Sequence, residues 1–182
     1  MQTKGKKLRT VDLVYMALFA ALIAICSWIS IPATVEFTMQ TFAVFAALGL
    51  LGGYRALIAV CVYLLLGAVG LPVFAGFHGG IGALLGSTGG YLVGFAAMAL
   101  VYWLITAIFG EGRWVRVAAM VAALIVCYAF GTAWFVIVYT RQTEAISWMT
   151  ALGWCVFPFI IPDLIKMALA LVLTDRLAKH LK

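Results

Sequence analysis

Long continuous apolar runs, beginning with the stretch from Leu13 to Ile31, leave this chain little to fold into except membrane-crossing helices. Strands of a membrane barrel would alternate apolar and polar positions, and these runs do not. Of 182 residues, 66% are hydrophobic and only 10% are charged, well outside the range of soluble globular domains. The expectation is an all-α integral membrane protein, a single membrane domain over residues 1–182 with no length left for a soluble one. The first run is longer than a secretory h-region and no A-x-A pattern follows it, so it reads as a retained span.

Six crossings are expected, over about 12–31, 39–52, 54–71, 91–109, 114–138 and 148–176. The second is short against the ~20 apolar residues of a full crossing. The net charge of +6 gives an independent test. Lys4, Lys6, Lys7 and Arg9 precede the first span, and Arg55 lies in the turn after the second. Arg113 and Arg116 separate the fourth and fifth spans, and Arg176, Lys179 and Lys182 follow the last. Six crossings place all of these on one side, leaving only Arg141 in the outer segments 32–38, 72–90 and 139–147. The positive-inside rule then puts both termini in the cytoplasm. No basic face with interleaved aromatics lies outside the membrane, so nucleic acid is not an expected partner.

Cys26, Cys61, Cys127 and Cys155 all fall in apolar runs and none forms a CxxC pair; they read as small buried hydrophobes. His78 and His180 are far from them in sequence, so no metal site is expected.

Two outer segments are unusual. Ile31–Gln40 (IPATVEFTMQ) carries a lone Glu36. The segment 72–90, glycine-rich and apolar, has no Lys, Arg, Asp or Glu. A solvated linker would be polar. Glycine permits tight turns and close backbone approach, so this loop is expected to cap or gate something beneath it, the alternative being a merely compact loop.

The stretch FPFIIPDLIKMALAL, Phe157 to Leu171, holds Asp163 and Lys166 inside an apolar run. Each isolated charge at mid-membrane costs about 2.5–3.5 kcal/mol on insertion scales. Their i,i+3 spacing puts them on one helical face. Pro158 and Pro162 suggest a helix break just before them, and hence a helix N-terminus favouring anions. The pair is read as a polar ligand site facing the bundle interior, against a self-satisfied ion pair that only holds helices together. Gln40, flanked by Thr38 and Thr41, opens the second span and offers both donors and an acceptor; helix capping by Thr38 is an equal reading. Tyr91 follows Gly89–Gly90 at the outer start of the fourth span, where an aromatic-belt role is common. His78 sits in the glycine loop.

Ser87 in GSTGG lacks the GxSxG frame and no histidine base is placed beside it, so an intramembrane hydrolase is disfavoured. The chain has no Gly-Lys-Ser/Thr, so it does not hydrolyse ATP itself. Uphill movement of a solute would draw on a partner or an ion gradient. Ala17 and Ala21 form a small-xxx-small pair in the first span, and Ala20 with Ala24 another; such positions let helices approach closely.

Taken together, LVYMALFAALIA, FTMQTFAVFAALGLLGGYRA, VYLLLGAVGLPVFAGFHGGIGALLGSTGGYLVGF and FIIPDLIKMALA resemble the BioY family, the biotin-binding S-components of energy-coupling factor (ECF) vitamin transporters. The resemblance covers nearly the whole chain. Where family members commonly show Gly-Pro-Thr-Gly-Gly-Tyr, this chain has Ser87 in place of the proline. Where they often carry a glycine before the aspartate, Pro162 adjoins Asp163 directly. The resemblance implies a six-helix bundle, a vitamin pocket near the extracellular face of the cell membrane, and biotin as the ligand, with no cofactor and no catalysis. It also implies docking of Ala17, Ala21 and Ala24 onto a transmembrane coupling subunit driven by ATPase subunits. Biotin offers an apolar bicycle, a ureido group with two N–H donors and a carbonyl, and a carboxylate on a short chain. Asp163 would accept ureido N–H groups, and Lys166 would meet the carboxylate or the carbonyl. Gln40 and Tyr91 would be further polar partners, Phe74 and Phe77 apolar walls, with His78, Gly79 and Gly80 of the glycine loop beside them. Other readings are an S-component for a different vitamin, an intramembrane enzyme, or a structural scaffold.

Overall fold

The computed structural model describes residues 9–32 and 35–177. Lys4, Lys6, Lys7, Lys179, His180 and Lys182, used above for orientation or metal binding, lie outside the described residues. Helix α1 (Thr10–Trp28) leads into a short antiparallel hairpin of β1 (Ser30–Ile31) and β2 (Phe37–Thr38), with Ser30 opposite Thr38. Then come α2 (Gln40–Leu51), α3 (Gly53–Ala68), a 3-10 turn (Ala75–Phe77), α4 (Ile81–Leu85) and α5 (Gly89–Phe109). The chain closes with α6 (Arg113–Gln142), α7 (Trp148–Cys155) and α8 (Phe157–Leu177). Among the described residues, four segments are long and apolar enough to cross a membrane: Thr10–Trp28, Gly89–Phe109, Arg113–Gln142 and Trp148–Leu177.

The short second segment has a packing explanation. Ala43 through Leu48 are all fully buried, so α2 is apolar on every side because it is enclosed on every side. It packs against α1, α3 and α8 rather than against lipid. Gly52, at φ 78°, supplies the left-handed turn that reverses the chain into α3. Outward-facing side chains such as Leu18, Ile25, Leu104, Ile125, Ile137 and Leu169 are exposed and apolar, as hydrocarbon requires.

Three expectations are corrected. The last segment is two helices, meeting at Val156 (φ −124°, ψ −57°), not one. The break therefore precedes both prolines: Pro158 falls in the first turn of α8, where its missing N–H is of no consequence, and Pro162 lies within the helix. Asp163 and Lys166 thus sit well inside α8, and no helix terminus acts on them. The glycine-rich segment 72–90 is not only loop, since it contains the 3-10 turn and α4. Cys61 is exposed on α3, whereas Cys26, Cys127 and Cys155 are buried.

The two ends of the bundle differ in charge. Arg55 pairs with Asp12 at 3.2 Å, and Arg116 and Arg113 with Asp175 at 3.0 and 3.7 Å. These pairs gather at the end where α1 begins and α8 finishes. The opposite end carries the β-hairpin and the glycine-rich segment, with Arg141 beside it at the close of α6.

Candidate functional site

Asp163 and Lys166 are 2% and 4% exposed, and their side chains meet at 2.9 Å between Oδ1 and Nζ. The ammonium has three protons and three acceptors: Asp163 Oδ1, the Thr38 carbonyl at 2.7 Å and Thr41 Oγ1 at 3.0 Å. The Phe37 ring lies 4.1 Å from Nζ. Asp163 Oδ1 also accepts from Thr41 Oγ1 at 2.8 Å, and Oδ2 accepts from the Tyr128 hydroxyl at 2.7 Å. One lone pair on Oδ2 is left without a partner among the described residues. The cluster ties α8 to α2, to the β-hairpin and to α6. Such a pair tolerates burial only because every proton is satisfied; removing one member strands a charge, at about 3–5 kcal/mol.

The pair does not face a solid wall. A chamber of about 60 Å³ is lined by Asp163, Lys166, Tyr128, Thr41, Cys127 and Cys155. It shares Val35, Glu36, Thr38, Tyr91 and Phe95 with a larger chamber of about 480 Å³. That chamber is further bounded by Gln40, Phe74, His78, Gly79, Ser87, Thr88 and Gln142. Its size suits a small organic molecule.

The glycine-rich segment lines the larger chamber, through Phe74, His78, Gly79, Ser87 and Thr88 among others, and it is pinned in place. Trp28 Nε1 donates to the Pro72 carbonyl at 2.9 Å, and the Ser27 hydroxyl lies 2.6 Å from the Val73 carbonyl. The Gly80 N–H donates to the Gly67 carbonyl at 2.7 Å, and Trp134 Nε1 to the Gly86 carbonyl at 3.0 Å. Phe74 is buried because its ring lies directly on Gly67, where any Cβ would overlap it. The same ring meets Tyr63 edge-on at 5.5 Å, and the Tyr63 hydroxyl accepts from Gln40 Nε2 at 2.9 Å. Gln40 is 2% exposed, and its carbonyl oxygen accepts nothing among the described residues. Tyr91 packs on Gly131 and its hydroxyl shares a hydrogen bond of 2.8 Å with Thr132 Oγ1.

The sequence-expected residues divide as follows. Asp163 and Lys166 line the small chamber, Tyr91 lines both, and Gln40, Phe74, His78 and Gly79 line the large one. Phe77 lines neither: it is 62% exposed, at φ 60°, and stacks on Trp28 at 5.1 Å. Gly80 lines neither and serves the backbone contact with Gly67. On α1, Ala17 and Ala21 face outward, while Ala24 is 6% exposed and belongs to the core. Sequence reasoning missed Tyr128. The available signal was a phenol in the middle of an apolar span, which needs a partner when buried. It also missed Tyr63, for the same reason, and it gave Glu36 no role.

Comparison with known proteins places this geometry in context. A family model described as the BioY family matches residues 1–182. The chain is 41% identical over 169 residues to "Biotin transporter BioY" of Thermotoga maritima, covering 92% of this chain and 96% of the relative. It is 37% identical over 172 residues to "Probable biotin transporter BioY" of Pyrococcus horikoshii, covering 94% and 97%. Among solved structures it resembles "the S-component for biotin from an ECF-type ABC transporter", with a TM-score of 0.83 and 26% identity over 98% of this chain and 95% of that one.

Proposed function

The chain belongs to the BioY family, and from that premise we propose that it is the biotin-binding membrane subunit of an ATP-driven uptake system. The observation that carries the reading is the buried Asp163–Lys166 cluster opening onto a roofed chamber of ligand size. The small chamber is the narrower of the two and is assigned the ureido end of the ligand. The free lone pair of Asp163 Oδ2 then takes a ureido N–H, while Lys166, already saturated, holds that carboxylate in place. The bicycle occupies the large chamber among Phe74, Tyr91 and Phe95, with Gln40 as a polar partner and His78 and Gly79 in the cover. The short chain points to the mouth.

The protein works as a single membrane domain, crossing six times with both ends in the cytoplasm and the chamber opening outside. The segregation of Arg55, Arg113, Arg116 and Arg176 from the chamber end supports that orientation. With no phosphate-binding loop of its own, it takes energy from ATPase subunits through a transmembrane coupling subunit, docked on the outward face of α1 at Ala17 and Ala21.

Biotin at a hundred times its Kd is expected to stabilise the purified protein by ~2.7 kcal/mol, read as a rise in Tm. Riboflavin or thiamine at equal concentration should leave Tm unmoved. A melting curve indifferent to biotin would remove the assignment. Ala21→Trp should leave biotin binding intact and abolish uptake by cells carrying the whole transporter; unimpaired uptake would refute the docking face.

A further inference from the structure

The charge lining the two chambers is unbalanced. Asp163 and Lys166 cancel one another, and Glu36 remains, lining both chambers with no ion pair among the described residues. The lone lysine of the lining has spent all three protons on Asp163, Thr41 and Thr38. Arg141, one residue before Gln142, lines neither chamber. A carboxylate at the end of a bound ligand's chain therefore finds no lysine or arginine with a free proton among the described lining residues, and it meets Glu36, whose carboxylate lies by Gly76 of the glycine-rich segment beside the His78 ring. Three further polar side chains of that lining, Ser87, Thr88 and Gln142, make no side-chain hydrogen bonds among the described residues. They are neutral donors and acceptors of the kind an amide uses.

We propose that this site reads the chain end of its ligand through Glu36 and favours neutral or cationic tails, so that amides of biotin with small amines are ligands of this chain. The inference rests on the biotin reading above, with the ureido end inward. An amide replaces a repelled carboxylate with groups that Ser87, Thr88 and Gln142 satisfy. A terminal ammonium beyond it gains the attraction of Glu36.

The test is competition for the detergent-purified full-length protein by three probes: biotin, biotinamide and N-(2-aminoethyl)biotinamide. Biotinamide is expected to bind at least as tightly as biotin, and the cationic amide about threefold tighter than biotinamide, the range of a partly exposed charge pair. Raising the salt concentration should shrink that advantage. Glu36→Gln should bring the affinities for the cationic amide and for biotin closer together. Biotin bound tightly with both amides rejected would overturn this inference and leave the biotin assignment standing. An unchanged ratio in Glu36→Gln would likewise overturn it. Failure of all three probes to bind the wild type would overturn both.

Discussion

Lys166→Ala is expected to weaken biotin binding by at least about a hundredfold in purified protein, the scale of losing one well-ordered charged hydrogen-bonding group. The effect is large because Lys166 is not a lone contact. Its ammonium joins Asp163 on α8, Thr41 on α2 and the Thr38 carbonyl of the hairpin. Truncation leaves Asp163 buried with only Thr41 and Tyr128 as donors, and stability falls by about 3–5 kcal/mol. A loss of affinity alone would not separate a damaged fold from a damaged site. The double variant Asp163→Asn with Lys166→Met does separate them, because it buries no charge. It should recover most of the lost thermal stability and none of the lost affinity. Wild-type biotin affinity in that double variant, measured by titration calorimetry, would reduce the pair to a helix-to-helix tether.

The second large effect is expected far from any charge. Gly67→Leu should lower biotin affinity by tens of fold and destabilise the protein by ~1–3 kcal/mol, the usual cost of overpacking a filled site. The Phe74 ring rests on Gly67, so a side chain there expels it from its slot. Phe74 supports Tyr63, and Tyr63 orients the Gln40 carboxamide. The Gly67 carbonyl also receives the N–H groups of Gly70 and Gly80, which pin the chamber's cover. One substitution thus disturbs a wall, a polar partner and the cover together. Phe74→Leu is the companion: it keeps an apolar filler, and should cost less affinity than Gly67→Leu. The reverse order would show that Gly67 does not act through Phe74.

Much of this was legible in the sequence, and the reason differs by feature. Asp163 and Lys166 stood out because charges in an apolar run are expensive and so demand a partner. The chamber's cover stood out because segment 72–90 is too apolar to be a solvated loop and too rich in glycine to be a plain helix. Tyr128 and Tyr63 did not stand out, and Thr41 was visible only as a neighbour of Gln40. Hydroxyl-bearing residues are ordinary in membrane helices, and nothing local marks which of them will face a carboxylate contributed by another helix. Phe77 and Ala24 show the converse: periodicity and motif place a residue near a feature, and packing decides which way it points.

What the linear chain determined alone was its solvent and its expensive residues: helices, because hydrocarbon offers the backbone no partner, and a polar site wherever charge persists inside an apolar run. What only the tertiary structure decided was the state of that site. Asp163 meets Tyr128 across 35 positions and Thr41 across 122. Those long-range bonds saturate Lys166 and leave Oδ2 one open lone pair. Hydrogen-bond saturation depends on which helices pack together, and no local pattern encodes it.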